Sequence, residues 1–453
     1  MLTSAAGSQQ NAIIDGMALG LYISVPFCLT KCSYCNFSSD VFSRGVFHRY
    51  VERVCADIQN APATAERMGG HFEREIDSVY VGGGTPTVLD CQQLERLFVT
   101  VRQNFCLQPD SEITVECAPG TLTPAVLDTL LKCGVNRVSL GVQSFVDQEA
   151  AAVGRLHKRA TVVGELQRLR SAGISNLNID LIAGLPHQSG DSWDSSLAET
   201  IATGAPHASV YMLEVDEDSR LGRELIAGGT RYHAHFVPDE DRTADLYLRA
   251  SEQLEAAGVR QYEISNFARE GSESRHNLKY WTRQPYLGFG VDAHSMLEAS
   301  KDPYLLVRAA EPNAGNDLGG SPAWELPPAD MDAVRFATTD SLEQFVAGAP
   351  LRRMPVSRRA ALEEAFFLGL RLTRGVDLRQ VGSQPGFDGM IGLAREISEL
   401  VEGGLMEQDG DVVRLTGRGR LLSNEVFERF ISVENIEPKV GSEDAEKTAK
   451  PRI

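Results

Sequence analysis

Three cysteines in the stretch Cys28-Leu-Thr-Lys-Cys32-Ser-Tyr-Cys35 stand four and three residues apart, directly after a β-rich apolar run at 19 to 25. Thiolates are soft donors suited to iron–sulfur clusters, copper(I) or zinc. Three of them leave one position of a four-site cluster open to bind something else. Tetrahedral zinc would need a fourth ligand. The nearest downstream histidine, His48, falls in a helical stretch, and no second CxxC pair follows to complete a zinc knuckle. Three unrelated structural cysteines are the plainest alternative, and they leave the spacing without a reason. Cys55, Cys91, Cys106, Cys117 and Cys133 have no such pattern and read as buried or half-buried small apolar residues.

A ligand loop needs a scaffold, and the sequence supplies one. Short β-rich runs at 19 to 25, 76 to 82, 112 to 117, 137 to 142, 175 to 182 and 207 to 213 alternate with helical periodicity at 44 to 60, 90 to 104, 123 to 133, 159 to 172 and 191 to 203. Thr123-Pro124 and Asp191 carry helix-start signals. Strands alternating with helices imply an α/β fold with a parallel sheet, here a partial (β/α)6 TIM-like barrel. Cys28, the triplet Gly82-Gly83-Gly84, Glu116, Gln143 and Asp180 each fall at or just past the C-terminal end of an expected strand. Barrel enzymes build their active sites at that end. Three consecutive residues without Cβ let the backbone approach a ligand closely and permit positive φ, although a tight turn explains them about as well.

The chain is 453 residues long, 42% hydrophobic and 23% charged, with a formal charge of −18 and a pI near 5.0. That length implies two domains, and the acidity argues against nucleic acid as the main partner. Residues 1 to 18 lack the basic start and apolar core of a secretory signal, and eight cysteines in so long a chain make no disulfide framework. A cytoplasmic location is expected. No run reaches the roughly 20 apolar residues of a membrane span, which leaves only peripheral membrane contact open.

The C-x3-C-x2-C spacing with Tyr34 before the third cysteine resembles the cluster motif of the radical SAM enzymes. The resemblance implies a [4Fe–4S] cluster on Cys28, Cys32 and Cys35, S-adenosylmethionine (SAM) chelated to the open iron, an electron donor for the cluster, and reductive cleavage to a 5′-deoxyadenosyl radical. Within that superfamily the ladder Glu116, Gln143, Arg155 and Asp180 is similar to the cofactor contacts of the oxygen-independent coproporphyrinogen oxidase group. Tyr22, Tyr34, Gly83, Gly84 and Thr85 would also contact SAM by this resemblance. The alternative reading of Arg155 and Asp180 is a structural ion pair at a strand end.

Two branches of that group need separating: the oxidative decarboxylase that makes protoporphyrinogen IX, and the haem chaperones of the HemW type. The decarboxylase follows its third cysteine with x-Cys where this chain has Asn36-Phe37, and it carries a longer extension than the 21 residues that precede Tyr22. His276-Asn277-Leu-Lys-Tyr280-Trp281 resembles the chaperone signature. An imidazole beside two large rings is what axial ligation and porphyrin stacking require, which makes His276, Tyr280 and Trp281 haem candidates and His294 a lesser one. A hydrogen-bonded core histidine is the plainer reading. The expected function is therefore a haem chaperone that delivers haem to acceptor haemoproteins, with coproporphyrinogen oxidation as the alternative and a degenerate scaffold as a third.

The domain reading is a segment at 1–18, a barrel at 19–300, an irregular Pro/Gly-rich insertion at 301–335, a HemN-like C-terminal domain at 336–433 and a disordered tail at 434–453. Helical periodicity from 357, a Gly403-Gly404 stop and the hairpin LMEQDGDVVRLT around Asp409-Gly410 make the C-terminal part helical and winged-helix-like. Arg352, Arg353, Arg358 and Arg359 would be its basic cluster if it bound DNA; packing beside the barrel is the reading preferred here.

Overall fold

A computed structural model describes residues 18–302, 330–383 and 393–431. The first segment, most of the insertion and the tail named above lie outside the described residues. The chain divides into two compact units, one running to Tyr280 and from Gln284 to Pro355, the other comprising Trp281–Arg283 and everything from Val356 on.

The first unit is built on one sheet. Its centre is β1 (Leu19–Val25), β2 (Glu75–Gly83), β3 (Cys106–Cys117), β4 (Arg137–Gln143), β5 (Asn176–Ala183) and β6 (His207–Met212), all parallel and in sequence order. These are the six expected strands. Helices Arg44–Gln59, Cys91–Asn104, Pro124–Lys132, Arg159–Ser171 and Gly190–Thr203 connect them, also as expected. Thr123 accepts from the Val126 N–H with Pro124 in the first turn, while the last of these helices is capped by Ser189, Asp191 lying in its first turn. Parallel neighbours joined through helices give the right-handed crossovers of an α/β barrel.

The sheet extends further than the sequence suggested. A seventh parallel strand, β9 (Tyr286–Phe289), flanks β1, followed by antiparallel β10 (His294–Glu298) and β11 (Met331–Ala337) and an edge strand β12 (Arg352–Ser357). At the opposite edge β8 (Asn266–Ala268) and β7 (Arg260–Gln261) run antiparallel. The stretch 331–355 therefore belongs with the barrel sheet, so the C-terminal unit begins at 356 and not at 336. β10 and β11 pair directly across the insertion, and that pairing keeps β11 in the sheet. Arg352 and Arg353 fall on this side of the division, with Arg353 Nε donating to the Met68 carbonyl at 2.8 Å, so the four arginines form no single cluster within the second unit.

In the second unit helices Arg358–Leu370 and Leu393–Glu402 accompany a three-stranded antiparallel sheet of β13 (Val376–Asp377), β15 (Val412–Leu415) and β14 (Met406–Asp409). Asp409 pairs with Val412, which leaves Gly410-Asp411 as the two-residue turn, with Gly410 at φ 60°. Gly404 at φ 70° ends the preceding helix. Cys55, Cys117 and Cys133 are buried and Cys91 is half-buried, whereas Cys106, the first residue of β3, is exposed at the strand's N-terminal end.

Leu19, Leu21, Ile23 and Val25 of β1 are buried toward the helices, while Gly20, Tyr22 and Ser24 alternate inward. At the end of β2 the chain has almost no room. A Cβ on Gly84 would lie 2.8 Å from the Val25 carbonyl oxygen and 2.9 Å from that of Phe27, because the Gly84 and Thr85 amides donate to those two carbonyls. Gly84→Ala should therefore destabilise the protein by about 1–3 kcal/mol. Gly45→Ala, where nothing lies within 4 Å, should be neutral or slightly stabilising. Urea midpoints of the two variants check this.

Candidate functional site

The thiol loop is fixed from several sides. Cys28 N–H donates to the Asp40 carbonyl at 3.0 Å, Ser33 N–H to that of Val153 at 3.1 Å, and the Thr30 hydroxyl to that of Gly154 at 3.0 Å. Lys31 Nζ donates to the carbonyl oxygens of Phe37, at 2.8 Å, and Ser39. Cys28, Cys32 and Cys35 are unbridged and half-buried. Thr85 Oγ1 lies 3.8 Å from Cys28 Sγ, and Ser39 Oγ lies 3.8 Å from Cys35 Sγ. Burial above all raises the Cys28 thiol, with a smaller push from the other two thiols, against the lowering effect of the Thr85 and Ser39 hydroxyls. Among the described residues no three His, Cys, Asp or Glu side chains converge tightly enough to hold a single metal ion. The loop thus offers three neighbouring soft donors with no fourth beside them, which fits a cluster with an open corner better than a closed zinc site.

The strand ends opposite this loop carry the charges. Glu116 sits on β3, its Oε1 accepting from Tyr80 Oη at 2.8 Å and its Oε2 from the Gly83 amide at 3.0 Å. Asp180 on β5 accepts from Ser139 Oγ at 3.0 Å and from Asn178 Nδ2 at 2.7 Å. Burial first, and then Asp180 as a like charge, pushes the Glu116 carboxyl up to about 7, while burial also raises Asp180. Arg155 donates to Tyr34 Oη at 3.1 Å and stays cationic, and its Nε is buried without a hydrogen-bond partner. A buried guanidinium nitrogen with nothing to bond is a place for a ligand acceptor.

Gly83 at φ 100° brings backbone beside Tyr22 Oη and Ser24 Oγ, and a Cβ there would meet them at 3.3 and 3.0 Å. Gln143 ends β4 at φ 66°, a left-handed conformation rare for a residue with a side chain, at a register shift against β5. Tyr34 packs against Val153, Ile182 and Leu185. Tyr22, Tyr34, Glu116, Arg155 and Asp180 are all half-buried rather than sealed, so the strand ends that carry them remain accessible. The structure gathers the expected cysteines, the glycines, Glu116, Arg155 and Asp180 at one end of the barrel. Arg155 faces Tyr34 and no strand-end ion pair with Asp180 is formed.

The haem candidates divide. His276 is buried, its Nδ1 3.1 Å from Ser78 Oγ and its Nε2 2.8 Å from Tyr280 Oη, with rings stacked on Tyr22 and Tyr80. Burial pushes its pKa down to about 3. With both nitrogens engaged, it has the surroundings of a core histidine. Trp281 belongs to the other compact unit, beneath the Arg371 guanidinium at 4.1 Å. His294 lies at the start of β10 with its Nε2 3.9 Å from Asp292.

Several polar residues of the barrel interior escaped the sequence reading. Tyr80, Ser139, Asn178 and Ser209 line the strands below the mouth, and Asn178 donates to both Ser139 and Ser209. Their signal was the alternation Ser78-Tyr80-Gly82, Glu112-Thr114-Glu116 and Asn176-Asn178-Asp180, polar on the inward side of three successive strands.

The carboxyl raised in the fold has a pH signature. Its stabilising contribution is complete below its ordinary value of 4.5 and is lost as the pH rises to about 7. The ligand-free protein should lose stability across that window, and Glu116→Gln should flatten this part of the profile, as read by thermal melts at stepped pH.

Residues 22–199 match the family model of the Radical SAM superfamily and residues 356–422 that of the HemN C-terminal domain. A protein named heme chaperone HemW from Bacillus subtilis is 32% identical over 420 residues, spanning 90% of this chain and 98% of its own length. Another of that name from Mycobacterium tuberculosis is 32% identical over 424 residues, covering 93% and 96%. The solved structure of Escherichia coli coproporphyrinogen III oxidase (HemN) superposes with a TM-score of 0.72 over 91% of this chain and 90% of that one, at 22% identity, a likeness of fold. Among the described residues no helix is long and apolar enough to cross a membrane. With its thiol loop at the mouth of a parallel barrel and its similarity running through both units, the chain belongs to the radical SAM superfamily and, within it, to the HemW family.

Proposed function

We propose that this protein is a haem chaperone that holds a [4Fe–4S] cluster on Cys28, Cys32 and Cys35, binds SAM at the barrel mouth, and passes haem to acceptor haemoproteins in the cytoplasm. The observation that carries this reading is the 32% identity to a heme chaperone HemW across 98% of that relative's length. Tyr22, Tyr34, Gly83, Gly84, Thr85, Glu116, Gln143, Arg155 and Asp180 are the proposed SAM contacts. When bound and reduced, the cluster and SAM supply the chemistry of a 5′-deoxyadenosyl radical.

The charges support the assignment. Two carboxylates and one guanidinium leave the mouth with a net negative charge, and SAM, with a sulfonium, an ammonium and a carboxylate, is a net cation. Arg155 suits the methionine carboxylate, and Glu116 and Asp180 suit the ammonium and the ribose hydroxyls. Holding Glu116 and Asp180 ionised side by side is costly without a ligand. The decarboxylase reading is less well supported, since Asn36-Phe37 stands where that branch has a further cysteine. For haem, His276 would serve only if Tyr280 left its Nε2.

Anaerobically reconstituted Cys32→Ser protein should hold no [4Fe–4S] cluster; retention of about four irons per chain with the charge-transfer absorbance would show the ligand assignment to be wrong. Asp180→Asn should keep the cluster but weaken SAM binding by roughly ten- to a hundredfold, about 1.5–3 kcal/mol, as measured by calorimetry. Incubated with coproporphyrinogen III, reductant and SAM, the wild-type protein should yield no protoporphyrinogen while binding ferric haem in a parallel titration. Product formation that depends on Cys32 would establish the decarboxylase instead.

A further inference from the structure

Away from the SAM pocket, the loops after β5 and β6 bring three of the nine histidines together. His187 Nε2 lies 3.2 Å from His233 Nδ1, and the Phe236 ring sits 4.0 Å from the His187 ring and 4.1 Å from that of His235. His187 and His233 adopt φ values of 68° and 60°, two of only five non-glycine residues in the left-handed region among those described. Such conformations cluster at ligand sites because the surrounding structure must hold them in place.

The loop is anchored rather than loose. Both carboxylate oxygens of Glu224, on the helix Arg220–Ala227, accept from the Tyr232 amide, and Oε1 also accepts from that of Ala234 at 3.2 Å. The next residues of that helix, Leu225 and Ile226, are 54% and 68% exposed, and Phe236 is 47% exposed. Large apolar side chains at that exposure, on the helix and turn adjoining the paired imidazoles, suit a ligand that is both apolar and metal-bearing. Arg223 and Arg231, exposed on the same segment, offer cations for the acidic rim of such a ligand.

We propose that His233 is the axial ligand of an iron porphyrin docked on this rim, with Phe236, Leu225 and Ile226 against its macrocycle. The inference rests on the haem-chaperone reading above and says where the haem sits. Metal-bound imidazoles characteristically donate their second N–H to a neighbour that fixes the tautomer. His233 Nδ1 lies 3.2 Å from His187 Nε2, so the tautomer of His233 that carries its proton on Nδ1 meets that requirement and leaves its own Nε2 with no hydrogen bond among the described residues. His276 offers neither nitrogen.

The test is a ferric protoporphyrin IX titration of the full chain, wild-type and variant, followed at the Soret band with circular dichroism as the check of folding. His233→Ala should shift the band and weaken binding by on the order of ten- to a hundredfold, and added imidazole should restore the wild-type maximum. His187→Ala should weaken binding less, and His276→Ala should leave the band where it is. An unchanged Soret maximum and affinity in folded His233→Ala, or a shift in folded His276→Ala alone, would overturn the site while leaving the chaperone reading standing. No Soret band in the wild-type protein would instead remove that reading, and this site with it.

Discussion

The structure turns on two carboxylates held near each other at the mouth of a barrel with one guanidinium facing them. Burial and mutual repulsion raise Glu116, while Arg155 keeps its charge, its guanidinium donating to Tyr34 and its Nε without a hydrogen-bond partner among the described residues. A site with those charges suits a ligand that carries both a cation and an anion. The nearby thiol loop and turn glycines are likewise held in place by backbone hydrogen bonds, with the Thr85 and Ser39 hydroxyls beside two of the thiols. Preorganisation of this kind means that binding need not order the site first.

Below the mouth the barrel is polar where many parallel barrels are filled with branched aliphatic residues. Its floor is the segment from Ser274 to Tyr280. His276 is stacked against Tyr80, Lys279 pairs with Asp77 at 2.8 Å, and the Arg275 and His276 amides donate to Glu112. Buried polar groups this well connected rigidify a structure, because each would cost more unpaired than it returns paired. The motif His276-Asn277-x-x-Tyr280-Trp281 is thus accounted for largely by the closing of the barrel, which directs the search for haem to its rim.

The sequence was most readable where one constraint acts alone. Six strands buried on the helix side announce themselves as apolar runs, and Cys28, Glu116 and Asp180 could be placed at their ends because the fold puts ligands there. The outer strands were lost because β7, β8 and β9 are two to four residues long, too short for any periodicity. β11 was lost because its partner β10 precedes it across a long insertion, so the pairing that makes it a strand is non-local. The histidine pair was invisible for a similar reason: His187 and His233 are 46 residues apart and meet only through the loops of two neighbouring strands.

If the mouth is built for a cation, binding must return Glu116 to its ionised form. The direct measurement is anaerobic calorimetry of SAM binding to the cluster-loaded protein at pH 6, repeated in buffers of different ionisation enthalpy to count protons. The account predicts release of a substantial fraction of a proton by the wild-type protein and none by folded Glu116→Gln. Equal proton release in the two proteins, or none in either, would contradict it.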